Sequence, residues 1–216
     1  MTMNKIVFKN VVPDVFASRT DLNSEVWAKE TIFTKGNTYL VEAASGMGKS
    51  TFCSYVVGYR NDYTGNIYMD DCDTKTFGIA KWTEMRKMHI SHLFQELRLF
   101  PELTALENVM IKNRLTGYVP TQKIDMWFER LGIADKRHEL IGHMSFGQQQ
   151  RVAFMRALAQ PFDFILLDEP ISHLDDNNAK IMGDTVVEEA KAQGAGIIMT
   201  SIGKHIELDY DKIIKL

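Results

Sequence analysis

Cysteine is nearly absent: Cys53 and Cys72 are the only two in 216 residues. Two thiols cannot build the disulfide framework of a small secreted domain or a four-thiolate zinc site, so a reducing compartment is the default expectation. Long apolar runs are missing too. Met1 to Val12 lacks the hydrophobic stretch of a signal peptide, and Phe164–Leu167 and Ile197–Met199 are only a few residues long. A membrane-spanning helix needs roughly 20. Nor does one sign of charge dominate. Lys plus Arg number 25 against 28 Asp plus Glu, a net charge of −3, which excludes attachment to nucleic acid or anionic lipid by bulk charge. There is no low-complexity tract and no internal repeat. The chain is 45% hydrophobic and 25% charged, enough for one real core and an ordinary surface. The expectation is a soluble cytoplasmic protein of one domain, residues 1–216.

Short apolar runs alternate with helical stretches. Tyr39-Leu40-Val41 leads into Glu42-Ala43-Ala44-Ser45-Gly46-Met47-Gly48-Lys49-Ser50-Thr51, and Phe52, Tyr55, Val56 and Tyr59 then recur at helical spacing. Phe164–Leu167 is apolar at every position, as in a parallel strand covered on both faces, and Ile197–Met199 reads the same way. Strand, loop and helix in this order predict an α/β core. Ile6–Phe8, Thr31–Phe33 and Gly65–Met69 predict a small N-terminal antiparallel sheet. From about residue 97 to 160 the pattern is almost wholly helical, with Ile124, Phe128 and Leu131 on one face, which predicts an inserted helical subdomain.

A strand, a glycine-rich loop ending Gly-Lys-Ser and a helix form the P-loop arrangement. Successive backbone N–H groups and the positive helix end surround phosphate, Lys49 neutralises β/γ oxygens, and the Ser50 hydroxyl ligates Mg²⁺. Ser45, Gly46, Met47, Gly48 and Thr51 complete the cradle. Ala43 stands where the pattern has its first glycine, and alanine serves there only if the backbone does not need a positive φ. Asp168-Glu169 follows directly on the apolar strand, where carboxylates of such sheets face the ligand crevice. Asp168 suits the outer shell of Mg²⁺, and Glu169 suits a base that orients or deprotonates an attacking water.

Met144-Ser145-Phe146-Gly147-Gln148-Gln149-Gln150-Arg151, then Leu166-Leu167-Asp168-Glu169-Pro170 and Ser172-His173-Leu174-Asp175, resemble an ATP-binding cassette (ABC) ATPase over nearly the whole chain. Phe94-Gln95 resembles the family's Q-loop. The run Leu99 to Val109 is most similar to the branch that serves macrolide export, lipoprotein release and cell division. The resemblance implies a P-loop (RecA-like) core sheet, the antiparallel sheet and the helical subdomain, with ATP and Mg²⁺ as ligands. Two cassettes, identical or siblings, would pair head to tail. Ser145 and the Gly147 amide would then contact the γ-phosphate held by the partner's Lys49, with Gln148 also in the nucleotide-binding set, and Asp175 would lie across the interface. Gln95 would sense Mg²⁺ and the attacking water. An integral membrane permease would dock near the Q-loop and helical subdomain, placing the protein peripherally on the inner face of the membrane.

Besides Ala43, two further positions depart from the family pattern. Phe146 replaces a signature glycine, and Ile202 falls where a switch histidine is expected, with His205 read as an ordinary surface histidine. These departures point to weak basal turnover, or to a regulatory module that gates its partner by nucleotide binding alone. The aromatic that stacks on adenine is Phe16 when counted back from Lys49, but counting forward from Asn10-Val11 reaches Val15. His89, His92, His138 and His143 show no metal-ligand spacing. Trp27, Trp82 and Trp127 are scattered, which does not suggest a nucleic-acid platform.

Overall fold

The computed structural model describes residues 2–19, 22–44, 46–171 and 174–216. In chain order the strands are β1 (Lys5–Pro13), β2 (Glu30–Thr34), β3 (Thr38–Glu42), β4 (Tyr63–Met69), β5 (Cys72–Asp73), β6 (Ile90–Leu93), β7 (Phe164–Asp168), β8 (Gly196–Ser201) and β9 (Lys212–Lys215). The helices are α1 (Lys49–Val56), α2 (Ile79–Glu84), α3 (Ala105–Asn113), α4 (Thr121–Arg130), α5 (Phe146–Leu158) and α6 (Asp176–Gln193).

An antiparallel sheet has the order β2-β1-β4-β5, and a parallel sheet the order β6-β7-β8-β3-β9. In β1, Ile6 and Phe8 point inward by the two-residue period, and the pairing with β4 slips between Lys9 and Val12. Asn10 adopts a left-handed conformation at this bulge. Gly65 lies so close that a Cβ there would sit 2.1 Å from the Asn10 carbonyl oxygen.

Every residue of β7 and β8 is buried, yet the two-residue period still sorts them. Leu40, Ile165, Leu167, Ile197 and Met199 join the apolar cluster under α3, α4 and α5. Tyr39, Val41, Phe164, Leu166 and Ile198 join the cluster that α1 and the antiparallel sheet cover. The parallel sheet is thus the middle layer, which explains its unbroken apolar strands. On α4, Ile124, Trp127 and Phe128 are at most 3% exposed and anchor the helix on this core. Burying each such side chain stabilises by about 1.5–3 kcal/mol.

Helix boundaries have local causes. Thr104 and Glu107 form a capping box at α3, Ser145 and Gln148 do the same at α5, and Asp175 caps α6. The P-loop helix is shorter than the spacing of its aromatics predicts: α1 stops at Val56, because Gly58 turns the chain at φ 68°. Tyr59 is therefore half exposed and stacks on Phe94, ring centroids 6.1 Å apart, instead of joining the helix face. The signature helix α5 begins at Phe146, directly after its Ser145 cap.

Candidate functional site

Parallel registers set the stage. Glu42 pairs with Ser201 and Asp168 with Thr200, so the carboxyl ends of β3, β8 and β7 finish level with one another. Chain segments leaving these ends converge on one crevice.

The segment after β3 turns at Gly46 (φ 78°) and Gly48 (φ 94°) before α1 begins at Lys49. A Cβ at Gly48 would lie 3.0 Å from the Phe16 ring and 3.4 Å from Trp27, so this glycine is required by both its φ and its neighbours. The Trp27 indole N–H donates to the Met47 carbonyl at 3.2 Å and fixes the loop from outside. Ala43 keeps a negative φ, which explains how alanine replaces glycine there. Ser45 lies outside the described residues. Lys49 is only 6% exposed, and its ammonium lies 3.3 Å from the Ala43 carbonyl, 3.5 Å from that of Ala44 and 3.5 Å from Glu169 Oε1.

Glu169 has φ 48°, a left-handed conformation that costs a non-glycine residue about 1–3 kcal/mol and swings its side chain off the strand direction. Its other carboxylate oxygen accepts from Gln95 Nε2 at 3.3 Å. Asp168, 4% exposed, accepts from the Thr200 hydroxyl at 2.6 Å. Burial pushes the Asp168 carboxyl above its ordinary pKa and the neighbouring Glu169 charge adds to this, while the Thr200 hydroxyl pulls it down. Behind them, burial pushes the Cys53 thiol up and holds the His92 imidazole neutral, with its pKa lowered to about 3.

A cavity of about 320 Å³ is lined by Val15, Phe16, Gly46, Gly48, Lys49, Ser50, Thr51, Gln95, Glu169 and Ile202. Of the nominated residues, the cavity brings together Phe16, Gly46, Gly48, Lys49, Ser50, Thr51, Gln95 and Glu169, while Met47 and Asp168 are not among its lining residues. Phe16 is 5% exposed, packed under Gly48 with the Arg19 guanidinium 4.9 Å from its ring centre, whereas Val15 and Ile202 are exposed apolar groups of the lining. Ser145, Gly147 and Gln148 are not among the lining residues. They open α5, where the Gln148 amide N–H lies 3.4 Å from Ser145 Oγ and the Ser145 N–H donates to Gln148 Oε1 at 2.9 Å. Phe146 fits on the first turn without positive φ, 44% exposed. His205 is half-buried against Tyr210 and lines a different depression, with Asp176 and Lys204. Ser172 and His173 lie outside the described residues.

Four supports went unseen in the sequence. Thr200 follows the strand Ile197–Met199 directly, and aligning the two apolar strands would have put it opposite Asp168. Trp27 gives no local signal. Arg156 on α5, 8% exposed, donates to the carbonyls of Leu97 and Arg98, both left-handed, and so ties the segment after Gln95 to the signature helix. Gln150 makes a second tie, to the Pro170 carbonyl beyond Glu169.

A buried lysine at the start of a helix after a glycine loop, facing a carboxylate from the end of β7, one strand removed from β3, defines a P-loop nucleotide-binding protein of the α/β class. The chain belongs to the ABC transporter family: the model described as "ABC transporter" matches residues 30–172. Its cassettes are ATPases. Among relatives, it is 35% identical over 144 residues to the ABC transporter ATP-binding protein YtrE of Bacillus subtilis (strain 168), covering 65% of this chain and 62% of that protein. It is 27% identical to the lipoprotein-releasing system ATP-binding protein LolD of Coxiella burnetii (strain RSA 493 / Nine Mile phase I), covering 84% and 79%. A dimeric, post-hydrolysis structure of the ATP-binding cassette MJ0796 bound to ADP and Pi superposes with a TM-score of 0.74 at 25% identity, covering 91% of this chain and 87% of that one. Among the described residues no helix is long and apolar enough to cross a membrane.

Proposed function

We propose that the chain is the nucleotide-binding subunit of an ABC transporter-type complex, hydrolysing MgATP at a head-to-tail interface with a second cassette to work a separate membrane permease from its cytoplasmic side. The observation that carries this reading is the placement of Glu169 at the cavity, its two carboxylate oxygens directed to Lys49 and Gln95. That is where a water attacking a γ-phosphate would need a base and an orienting amide.

Ser50, Asp168 and Gln95 are the oxygen donors suited to Mg²⁺: an exposed hydroxyl, a buried carboxylate and an amide oxygen are the hard ligands such a cation takes. Bound there, the ion neutralises phosphate charge. Lys49 shares that role, and the N–H groups of residues 46–51 hold the β-phosphate. Val15 packs beside the base, with Phe16 supporting the loop. The transferred group goes to water, whose proton Glu169 accepts. Ser145, Gly147 and Gln148, at the amino end of α5, serve the partner's nucleotide, since an exposed capped helix start is a ready anion site.

Residues 97–160 act as an inserted subdomain, and the permease docks against it and the Q-loop. Arg86, Arg98, Lys112 and Arg156 line a groove there with Phe94 and Phe100, a surface suited to an acidic, partly apolar segment. Ties from Arg156 to Leu97 and Arg98 couple that groove to Gln95.

A second reading, nucleotide binding without turnover, is favoured by Ile202, an apolar group lining the cavity. Phosphate release from MgATP separates the two. The ATPase reading expects slow turnover that falls by about a hundredfold or more in Glu169→Gln, with ATP still bound. Loss of ATP binding in Lys49→Ala, with no release by either of the other proteins in the presence of the permease, would favour the binding-only module.

A further inference from the structure

Asp168 also belongs to a second cluster, whose other two members, Cys53 and His92, the hydrolysis reading does not use. Cys53 on α1, His92 on β6 and Asp168 at the end of β7 bring one ligand atom each to within 4.8 Å of the others. Both ring nitrogens of His92 are sealed from solvent and have no hydrogen-bond partner among the described residues. Leaving a buried polar group unsatisfied costs about 1–3 kcal/mol, and a neutral imidazole in that condition carries a lone pair ready for a metal.

We propose that Cys53, His92 and Asp168 form a binding site for a thiophilic divalent cation of the zinc class. Zinc takes sulfur at about 2.3 Å and nitrogen or oxygen at about 2.0–2.2 Å, which puts tetrahedral ligand atoms roughly 3.3–3.8 Å apart. The side chains therefore close by about 1 Å, within the reach of small rotamer adjustments. A thiolate–imidazole–carboxylate set discriminates against Mg²⁺ and Ca²⁺, which require oxygen. The Thr200 hydroxyl on Asp168 Oδ1 supplies the outer hydrogen bond that orients the carboxylate and leaves its other oxygen for the ion. His92 also lines the groove of about 230 Å³ with Arg86, Arg98, Lys112 and Arg156, whose positive charge slows entry of a dication from that side. On binding, the Cys53 S–H bond breaks, a zinc–sulfur bond forms, and one proton leaves to solvent. His92 brings only its lone pair.

Because Asp168 is shared, zinc and MgATP oppose each other; this consequence alone rests on the proposed hydrolytic site. The test uses the full chain carrying Cys72→Ser, which removes the exposed thiol, titrated with Zn²⁺ alone against a chromophoric chelator and with Co²⁺ as spectroscopic probe, first without nucleotide. One equivalent of Zn²⁺ and a thiolate-to-cobalt charge-transfer band are expected. Cys53→Ala should abolish the band, and both Cys53→Ala and His92→Phe should weaken Zn²⁺ by about tenfold or more. Cys53→Ser and His92→Gln replace either variant if it fails to fold, as judged by circular dichroism. Equal binding by these variants, or none that survives the chelator, overturns the site. Saturating Zn²⁺ should weaken MgATP binding in the Cys72→Ser parent but not in His92→Phe. Unchanged MgATP affinity beside tight Zn²⁺ removes Asp168 from the ligand set. Unchanged ATP binding in Lys49→Ala would count against the nucleotide reading instead.

Discussion

Gly48 shows how closely one residue can be specified. Its φ of 94° is open to glycine and strained for alanine, and the space a Cβ would occupy is already taken by Phe16 and Trp27. Gly48→Ala must either straighten the loop or displace a ring in the aromatic cluster of Phe8, Phe16, Trp27 and Phe52. The left-handed conformation alone costs an L-residue about 1–2 kcal/mol. The expected outcome is a melting temperature lowered by a few degrees together with at least about tenfold weaker ATP binding, read by thermal denaturation and nucleotide titration. Ala43→Gly, where φ is already negative, should change ATP affinity little. A large gain in affinity from Ala43→Gly would show that the loop strain has been placed at the wrong residue.

Elements are held in register by a few polar anchors, and Asp163 at the start of β7 is the principal one. Its carboxylate accepts from the Met3 N–H at 2.8 Å, faces His89 Nδ1 at 2.7 Å and pairs with Lys35, so it ties the amino terminus, the β2–β3 turn and the entry to β6 together. Burial pushes this carboxyl up, but Lys35, Met3 and His89 outweigh it and leave its pKa below the ordinary value. A depressed folded pKa means that between the two values the unfolded chain binds more protons, so stability rises with pH there. The contribution is complete above about pH 3.9 and disappears as pH falls through the folded value. Asp163→Asn should therefore cost about 2–3 kcal/mol at neutral pH in urea denaturation, and the gap to wild type should narrow below about pH 4. A gap independent of pH would assign the loss to packing.

The same scale explains what the sequence revealed. β7 and β8 were legible because both faces are apolar, and α4 because Ile124, Phe128 and Leu131 repeat at the helical period. Lys49, Gln95, Asp168 and Glu169 stand in short motifs whose spacing is local. What escaped depends on pairing between distant segments: Thr200 opposite Asp168, Trp27 on the Met47 carbonyl, and Arg156 on Leu97 and Arg98. Tyr59 misled because its spacing continued a helix that Gly58 had already turned. The choice between Phe16 and Val15 turned on a one-residue offset, and in the structure Phe16 is turned inward while Val15 is 60% exposed.

At the scale of the whole molecule, the P-loop cavity and the capped start of α5 are separate surfaces, which is the arrangement a head-to-tail pair requires. Two-fold symmetry then places each chain's phosphate loop against its partner's signature, giving two composite sites per dimer. A defect in either half alone should silence both sites of a homodimer, but the defects are complementary. Lys49→Ala spoils the phosphate loop, and Ser145→Arg puts a bulky side chain at the signature. A one-to-one mixture forms heterodimers in about half of the pairs, and each heterodimer regains one intact site. Mixed protein should therefore recover about a quarter of the wild-type phosphate release, measured with the permease present, while each variant alone stays inactive. If the natural partner is a sibling cassette, the mixture recovers nothing. Wild-type turnover then appears only with that sibling, whose own signature would face this chain's Lys49, leaving Phe146 to confront the sibling's phosphate loop.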